Sequence, residues 1–116
     1  MQTSNFRRAP NDPNALAITR GIARGWRGRI DRRLAPSWKM LQEFRETEQL
    51  HGTKTAELDY PVAFSSILAQ LDAGTVYHEL GEDAVLLCYE ELGQFWHRRL
   101  VAEWFKLKLG VTVSKI

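Results

Sequence analysis

The chain has 116 residues, 44% of them hydrophobic and 26% charged, which is the size and balance of a single globular domain. It contains no apolar run near the about 18 residues that a membrane span requires, and no apolar segment follows the charges near its N-terminus. Its one cysteine, Cys88, excludes an internal disulfide and a cysteine zinc site. From these observations together we expect a cytoplasmic protein with no membrane contact, metal site or cofactor.

In the first half of the chain we predict a strand at residues 1–6 and a second strand at residues 14–19. A loop follows at residues 20–33, and a helix begins at residue 35. Three glycines make the third segment a loop. The helix opens around Ser37 and repeats apolar residues at every third position, Trp38, Leu41 and Phe44, so we interpret Trp38 as part of the core. Residues 47–57 are polar and are predicted to form an exposed loop.

In the second half we predict a helix that begins at residue 60 and a short helix that begins at residue 72. A strand begins at residue 84, a long helix at residue 95, and a last strand at residue 111. Pro61 suits the first turn of the first helix, and Asp72 and Gly81 suit the two ends of the next one. Gly110 ends the long helix ahead of a strand at residues 111–113. Strands that alternate with helices indicate an α/β domain with a short, mostly parallel sheet flanked by helices.

Residues 84–89 are predicted to form the central strand of this sheet, buried on both faces. Side chains alternate along a strand, which places Val85 and Leu87 toward one face and Leu86 and Cys88 toward the other. A thiol in such a strand is inert. We therefore interpret the cysteine as a core residue and not as a nucleophile.

Positive charge is concentrated in the first third of the chain. Residues 7–33 hold eight arginines against Asp12 and Asp31, a balance of +6, whereas residues 34–116 carry a balance of −4. Guanidinium groups donate paired hydrogen bonds to phosphates and carboxylates. The uneven distribution therefore favours an anionic partner more strongly than the net charge of +2 does.

Four segments of the chain resemble a family of uncharacterised bacterial and archaeal proteins, domain of unknown function 488. They are TSNF, ITRGIARGWRGR, LAPSWKML and LLCYEELGQFWHRRLVAEW, at residues 3–6, 18–29, 34–41 and 86–104. The resemblance implies a small three-layer Rossmann-like α/β domain and assigns no activity. The family usually has Cys-His-Arg at the start of the last long helix, where this chain has Trp96-His97-Arg98. Any role of that cysteine is therefore absent here.

The loop at residues 20–33 is one candidate ligand site. Its glycines would let the backbone approach a phosphate, and its arginines would neutralise the charge. Arg20 comes directly after a predicted strand, where α/β proteins place their ligand crevices. The alternative is a solvated loop whose arginines pair with the acidic remainder of the domain. The predicted ligand-binding residues here are Arg20, Arg24 and Arg27.

The start of the last long helix is a second candidate site at the same edge of the sheet. A strand end that leads into a helix N-terminus binds anions through backbone N–H groups. His97 would be the general acid or base if a reaction occurs; the alternative is a satisfied histidine at a helix N-terminus. Glu90 would orient it or bind a ribose hydroxyl, or else be a solvated turn carboxylate. The predicted ligand-binding residues here are Glu90, Trp96, His97 and Arg98.

These observations predict an α/β domain that binds a phosphorylated or nucleotide-like small molecule at the carboxyl edge of its sheet. Arg20 and His97 are expected in one crevice, and catalysis is left open. One alternative is a nucleic-acid-binding accessory domain that uses the arginine-rich N-terminal third, with Trp26 stacking on a base. Another is a protein-interaction module of a mobile element, with Trp96 on its partner surface.

Overall fold

The computed structural model describes residues 1–21, 24–88 and 94–115, with residues 94–96 described by their backbone. Five short strands form one sheet, and every strand pairing among these residues is parallel. The strands are β1 (Gln2–Asn5), β2 (Ala15–Ala17), β3 (Arg29–Ile30), β4 (Val85–Cys88) and β5 (Ser114–Lys115). Their order across the sheet is β3-β2-β4-β1-β5. The predicted α/β fold with a mostly parallel sheet is therefore confirmed.

The helices of the described residues are α1 (Trp38–His51), α2 (Thr53–Leu68), α3 (Ala73–Leu80), α4 (Gln94–Leu109) and a 3-10 helix (Arg32–Leu34). Ser37 and Asp72 cap α1 and α3, because each side chain accepts a hydrogen bond from a backbone N–H of the first turn, at 3.1 and 2.9 Å. Gly81 and Gly110 follow α3 and α4 with positive φ angles of 92° and 68°, a conformation that favours glycine. Within the described ranges, none of the helices has the length and apolarity to cross a bilayer.

The central strand β4 is buried on both faces, as predicted. Leu86 and Cys88 belong to a core cluster to which all four α-helices contribute. Val85 and Leu87 belong to a smaller cluster on the opposite face of the sheet. Residues of irregular segments cover that second face: Phe6, Ala9 and Trp26. The sheet thus lies between a helical layer and a layer of irregular chain.

The polar segment predicted to be a loop, residues 47–57, is helical. α1 runs to His51 and α2 begins at Thr53, with Gly52 between them at a φ of 88°. Six of its eleven residues are good helix formers: Glu48, Gln49, Leu50, Lys54, Ala56 and Glu57. A polar stretch without apolar periodicity therefore does not by itself indicate a loop, and that prediction was wrong.

Pro61 lies inside α2 and not at its first turn. Ala56, Tyr60, Phe64 and Leu68, each four positions from the next, are all buried. They form one face of the helix. Packing of this face holds the helix through the proline, which lacks one backbone N–H donor. The predicted helix start at Tyr60 was therefore too late in the chain.

Three further expectations are wrong. Trp38 is 63% exposed, because it occupies the first position of α1 while Met40 takes the core position. The last strand is β5, and it follows residues 111–113 instead of containing them. The loop at residues 20–33 contains the strand β3. Both strands have two residues, and both residues are exposed, so neither leaves a period-2 pattern in the sequence.

Candidate functional site

Arg20 fixes the chain segment that joins β3 to α1. It follows β2, at the carboxyl edge of the sheet. Its Nε donates to the carbonyl oxygen of Pro36 at 3.0 Å, and its Nη2 donates to that of Arg32 at 3.3 Å. The side chain is half-buried. Hydrogen bonds from a charged group to carbonyls are stronger than those between neutral groups. Arg20 therefore ties the 3-10 helix and the start of α1 to the end of β2.

His97 lies in the first turn of α4 and is fully buried. Its Nε2 is hydrogen-bonded to the carbonyl oxygen of Leu34, which requires the ring proton on Nε2. The ring also makes a T-shaped contact with Phe64, at 5.1 Å between ring centres. Burial lowers the pKa of His97 to about 4, although the hydrogen bond to Leu34 acts in the opposite direction. The imidazole is therefore neutral at pH 7.

Arg20 and His97 hold the same segment, residues 32–36, by three of its carbonyl groups. The structure thus brings these two predicted site residues to one stretch of chain, but it directs their donors at backbone and not into a crevice. The Nδ1 atom of His97 has no hydrogen-bond partner among the described residues and is closed off from solvent. In this arrangement the imidazole donates to the backbone of the segment at residues 32–36, and its ligand-binding role stays a prediction.

Arg98 and Arg99, in the first turns of α4, take different environments. Arg98 is 5% exposed, and it lines a cleft with Thr3 of β1 and Lys115 of β5. Arg99 is exposed and forms an ion pair with Glu103 at 3.1 Å. One of the two arginines therefore faces inward and the other outward, as expected for neighbours on a helix. Arg98 lies on the β1–β5 side of the sheet, whereas Arg20 follows β2, beyond β4.

Two other site residues were predicted from the sequence, Glu90 and Trp96. Glu90 lies outside the described residues, and so does the side chain of Trp96. The predictions made for them, a carboxylate that orients His97 and an indole that fills the pocket or marks a partner surface, stay predictions. Among the residues that are described, no group of three or more His, Cys, Asp or Glu side chains is arranged to hold a metal ion.

The loop that carries Arg24 and Arg27 returns to the opposite edge of the sheet. β2 and β3 are parallel neighbours, so the chain that joins them runs back from the carboxyl end of β2 to the amino end of β3. There it borders a cleft of about 460 Å³. The turn at residues 10–13 forms the other wall, and Ala15 and Arg29, the first residues of β2 and β3, lie between.

Trp26 is held firmly beside this cleft. Its Nε1 donates to the carbonyl oxygen of Arg29 at 3.2 Å, and its ring meets that of Phe6 edge to face at 5.4 Å. A Cβ atom at Gly28 would lie 2.4 Å from the indole, so only glycine allows the loop to close around this ring. Trp26 also covers the second face of the sheet. The indole is therefore a preformed part of the cleft wall.

Among the described residues, most arginines of the basic N-terminal third have no acidic partner. Arg33 is the exception, because it bridges Asp31 at 2.7 Å and Glu79 at 3.4 Å, and the hydrogen bond to Asp31 raises its pKa. Six others are exposed and form no ion pair with a described residue: Arg7, Arg8, Arg24, Arg27, Arg29 and Arg32. One interpretation of the loop at residues 20–33 was that its arginines pair with acidic residues of the rest of the domain. Among the described residues, Arg33 forms such a pair, with Glu79.

Sequence reasoning missed the second wall of the cleft at residues 10–13. Its signal was the turn-rich string Pro10-Asn-Asp-Pro13, which we treated as a simple connection. Asp12 belongs to this wall, and its Oδ1 accepts a hydrogen bond from the backbone N–H of Asn14 at 2.8 Å. The carboxylate is thus oriented by its own turn. It faces a loop whose nearest charges are arginines.

Comparisons of this chain with known proteins identify no relative. No protein-family model, no curated protein and no solved structure matches it. The resemblance to domain of unknown function 488 therefore stays a prediction, which rests on the four sequence segments quoted above.

Proposed function

We propose that this chain is a binding domain for a phosphorylated or nucleotide-like small molecule, and that the ligand occupies the cleft beside Trp26. The observation that carries the proposal is the pairing of a fixed aromatic ring with an exposed, unpaired guanidinium, that of Arg27, in one cleft. A volume of about 460 Å³ lies within the range of small-molecule sites.

The cleft offers one group for each part of a nucleotide. Arg27 is suited to the phosphate, because guanidinium donates paired hydrogen bonds to phosphate oxygens. Asp12 is suited to a ribose hydroxyl, since one of its oxygens is already occupied by the Asn14 N–H and the other accepts from a hydroxyl. The indole of Trp26 offers a stacking surface to a base. Gly25 and Gly28 keep the wall near the ligand free of side chains.

The state of His97 favours binding without catalysis by that residue. It was the predicted general acid or base, yet it is buried, neutral at pH 7 and bonded to the Leu34 carbonyl. A general base must reach the proton that it removes. We therefore assign His97 to the fold, and the ligand site to the loops at residues 10–13 and 24–29.

The test is a thermal-shift and calorimetric titration with ADP, ribose 5-phosphate and adenosine. We expect ADP to bind, with stabilisation of about 2.7 kcal/mol at 100 times its Kd, ribose 5-phosphate to bind more weakly, and adenosine to bind weakest. Arg27→Gln should weaken ADP, whereas Arg45→Gln, an exposed arginine on α1, is the matched control. If neither phosphorylated compound shifts the melting temperature, the proposal is wrong.

A second candidate function is supported by arginines outside the cleft. Arg7, Arg8 and Arg32 are exposed and follow the carboxyl ends of β1 and β3, so the unpaired positive charge extends beyond one small-molecule site. Such a surface suits a nucleic-acid backbone. Retention of single-stranded RNA or DNA that falls steeply with salt would favour this function. Equal retention by the variant Arg7→Gln/Arg8→Gln would exclude this surface.

A further inference from the structure

A cleft of about 270 Å³ lies between α2 and α4, in the helical layer. On α4 it is lined by Leu100, Trp104 and Lys108, which are four positions apart and therefore lie along one side of the helix. On α2 the small side chains of Ser65 and Ala69 form part of the opposite wall. Neither the predicted ligand site nor the proposed function uses this cleft.

Most of the residues that line the cleft between α2 and α4 are apolar. Leu68 belongs to the core cluster and is 3% exposed, whereas Leu107 is 82% exposed. Ligand pockets typically combine such an apolar wall with a few polar groups that fix the orientation of the ligand. The volume is near the lower end of the range of such pockets, so the cleft suits a small molecule with an apolar body.

The indole of Trp104 is a separate indication of a ligand. Trp104 is 7% exposed. Its Nε1–H, the one polar group of the side chain, is buried and has no hydrogen-bond partner in the described part of the chain. A buried donor that lacks an acceptor destabilises a protein. Because Trp104 lines the cleft, an acceptor oxygen of a bound molecule is the group that would satisfy this donor.

The charges at this cleft favour a carboxylate over an ammonium group. Lys108 is exposed and forms no ion pair with a described residue, so its ammonium group is available to a ligand. It lies one helical turn beyond Trp104, which makes the two donors neighbours on α4. Glu103, the acidic residue of the lining, is paired with Arg99 at 3.1 Å. The charge available to a ligand is therefore positive and lies at the Lys108 end.

We propose that this cleft binds a carboxylic acid with a medium-length aliphatic chain, in its ionised form. The carboxylate pairs with the Lys108 ammonium group, and one of its oxygens accepts a hydrogen bond from the Trp104 Nε1–H. The aliphatic chain runs along the cleft toward Leu100, at the other end of the same row of side chains. The helix rises by about 12 Å between Leu100 and Lys108, which suits a chain such as that of octanoate.

The experiment is an NMR titration of the full chain with octanoate, observed at the indole N–H signals. We expect the Trp104 signal to move downfield and to saturate, because its proton gains an acceptor, and the signal of the exposed Trp38 to stay in place. Acetate supplies the charge without the chain, and octylammonium supplies the chain with the opposite charge. Each should bind at least about tenfold more weakly than octanoate.

Three outcomes of this titration would contradict the proposal. Binding of octylammonium as tight as that of octanoate would overturn the assignment of a carboxylate. Binding of acetate as tight as that of octanoate would overturn the role of the aliphatic chain. A Trp104 signal that does not shift, or that shifts without saturation, would overturn the site itself.

Two variants test the walls of the cleft, and each has a matched control. Ser65→Leu places a larger side chain in the cleft and should abolish octanoate binding, whereas Ser66→Leu, at the next exposed position of α2 and outside the lining, should leave it unchanged. Lys108→Gln should weaken octanoate binding about fivefold, the effect of losing one exposed charge. Lys106→Gln, at an exposed position of α4 outside the lining, should not weaken it.

Unchanged octanoate affinity in Ser65→Leu would refute the cleft, and unchanged affinity in Lys108→Gln would refute the ion pair with the carboxylate. Arg27→Gln separates this inference from the proposed function, since it should weaken ADP binding and leave octanoate binding intact.

Discussion

The guanidinium groups of Arg20 and Arg27 lie in different surroundings. Arg20 lies at the carboxyl edge of the sheet, and Arg27 lies in the loop between β2 and β3. Arg20 is half-buried and donates to two backbone carbonyls. Arg27 is exposed, lines an open cleft and forms no ion pair with a described residue. The first group is used by the fold, whereas the second is available to a ligand.

The same contrast separates the two regions as wholes. At the carboxyl edge, Arg20 and His97 hold residues 32–36 by their carbonyl groups, and the aromatic core beneath this segment includes Phe64. The cleft beside Trp26 is formed by two turns and is open. Ligand crevices of α/β proteins lie at the carboxyl edge of the sheet. In this domain the cleft beside Trp26 lies at the opposite edge, where β2 and β3 begin.

The largest expected effect lies in the core beneath residues 32–36. Phe64→Ala removes a fully buried ring that contacts His97 and stacks on Tyr60. We expect a loss of about 3–5 kcal/mol in the free energy of unfolding, measured by urea denaturation. Leu58→Ala, at a position of the same helix that is 74% exposed, should cost less than about 0.5 kcal/mol. Equal losses at the two positions would mean that this core is not packed as described.

The second effect is a pH dependence that His97 confers. Its pKa falls from an ordinary 6.5 to about 4 in the folded protein, so the unfolded state binds a proton more readily. The stabilisation is fully present above pH 6.5 and is lost as the pH falls through 4, by about 3 kcal/mol in total. Denaturation measured from pH 7 to pH 4 should show this decline.

The control for the pH effect is a pair of histidine variants. His97→Gln keeps a donor for the Leu34 carbonyl but cannot titrate, so its stability should vary less between pH 6.5 and 4. His51→Gln, at an exposed position in the last turn of α1, should retain the decline of the parent chain. A decline of the same size in His97→Gln would assign the pH dependence to other groups.

The third effect, of intermediate size, concerns Arg20. Arg20→Met keeps the aliphatic stem and removes the donors to Pro36 and Arg32, so we expect a loss of about 1–2 kcal/mol. Hydrogen exchange should quicken locally, in the first turn of α1, because the segment before it loses its tether. A variant as stable as the parent would mean that Arg20 is available to a ligand, as the sequence suggested.

The sequence was a good guide where an element is long or completely buried. β4 and α4 were predicted with nearly their observed bounds, because an apolar run and a strong helical stripe each report tertiary burial directly. Trp38 was misassigned because it lies at the very start of a helix, where periodicity has no preceding turn to refer to. Residues 47–57 were misassigned because the polar end of α1 and the polar start of α2, which meet at Gly52, resemble a loop in composition.

The candidate site was less predictable for a different reason. Arg20, Arg24 and Arg27 lie close together in the chain, and the sequence treats them alike. The parallel pairing of β2 with β3 separates them, since the connection must run back along the sheet. No local pattern announces a two-residue strand such as β3. Likewise, His97 has the same sequence signal whether its ring faces a cleft or the Leu34 carbonyl.

The smallest effect on stability should come from the exposed arginines of the loop. Arg24→Ala and Arg27→Ala remove solvated side chains that form no ion pair with a described residue, so the free energy of unfolding should change by less than about 0.5 kcal/mol. Arg27→Ala should nevertheless reduce ADP affinity by about tenfold, the equivalent of one charge-assisted hydrogen bond. Arg24 does not line the cleft, so its substitution should reduce ADP affinity less. Because the protein stays folded in both variants, calorimetric titration measures the ligand contact alone. A loss of stability in Arg27→Ala comparable to that in Arg20→Met would show that both arginines serve the fold, and the contrast between the two regions would then be wrong.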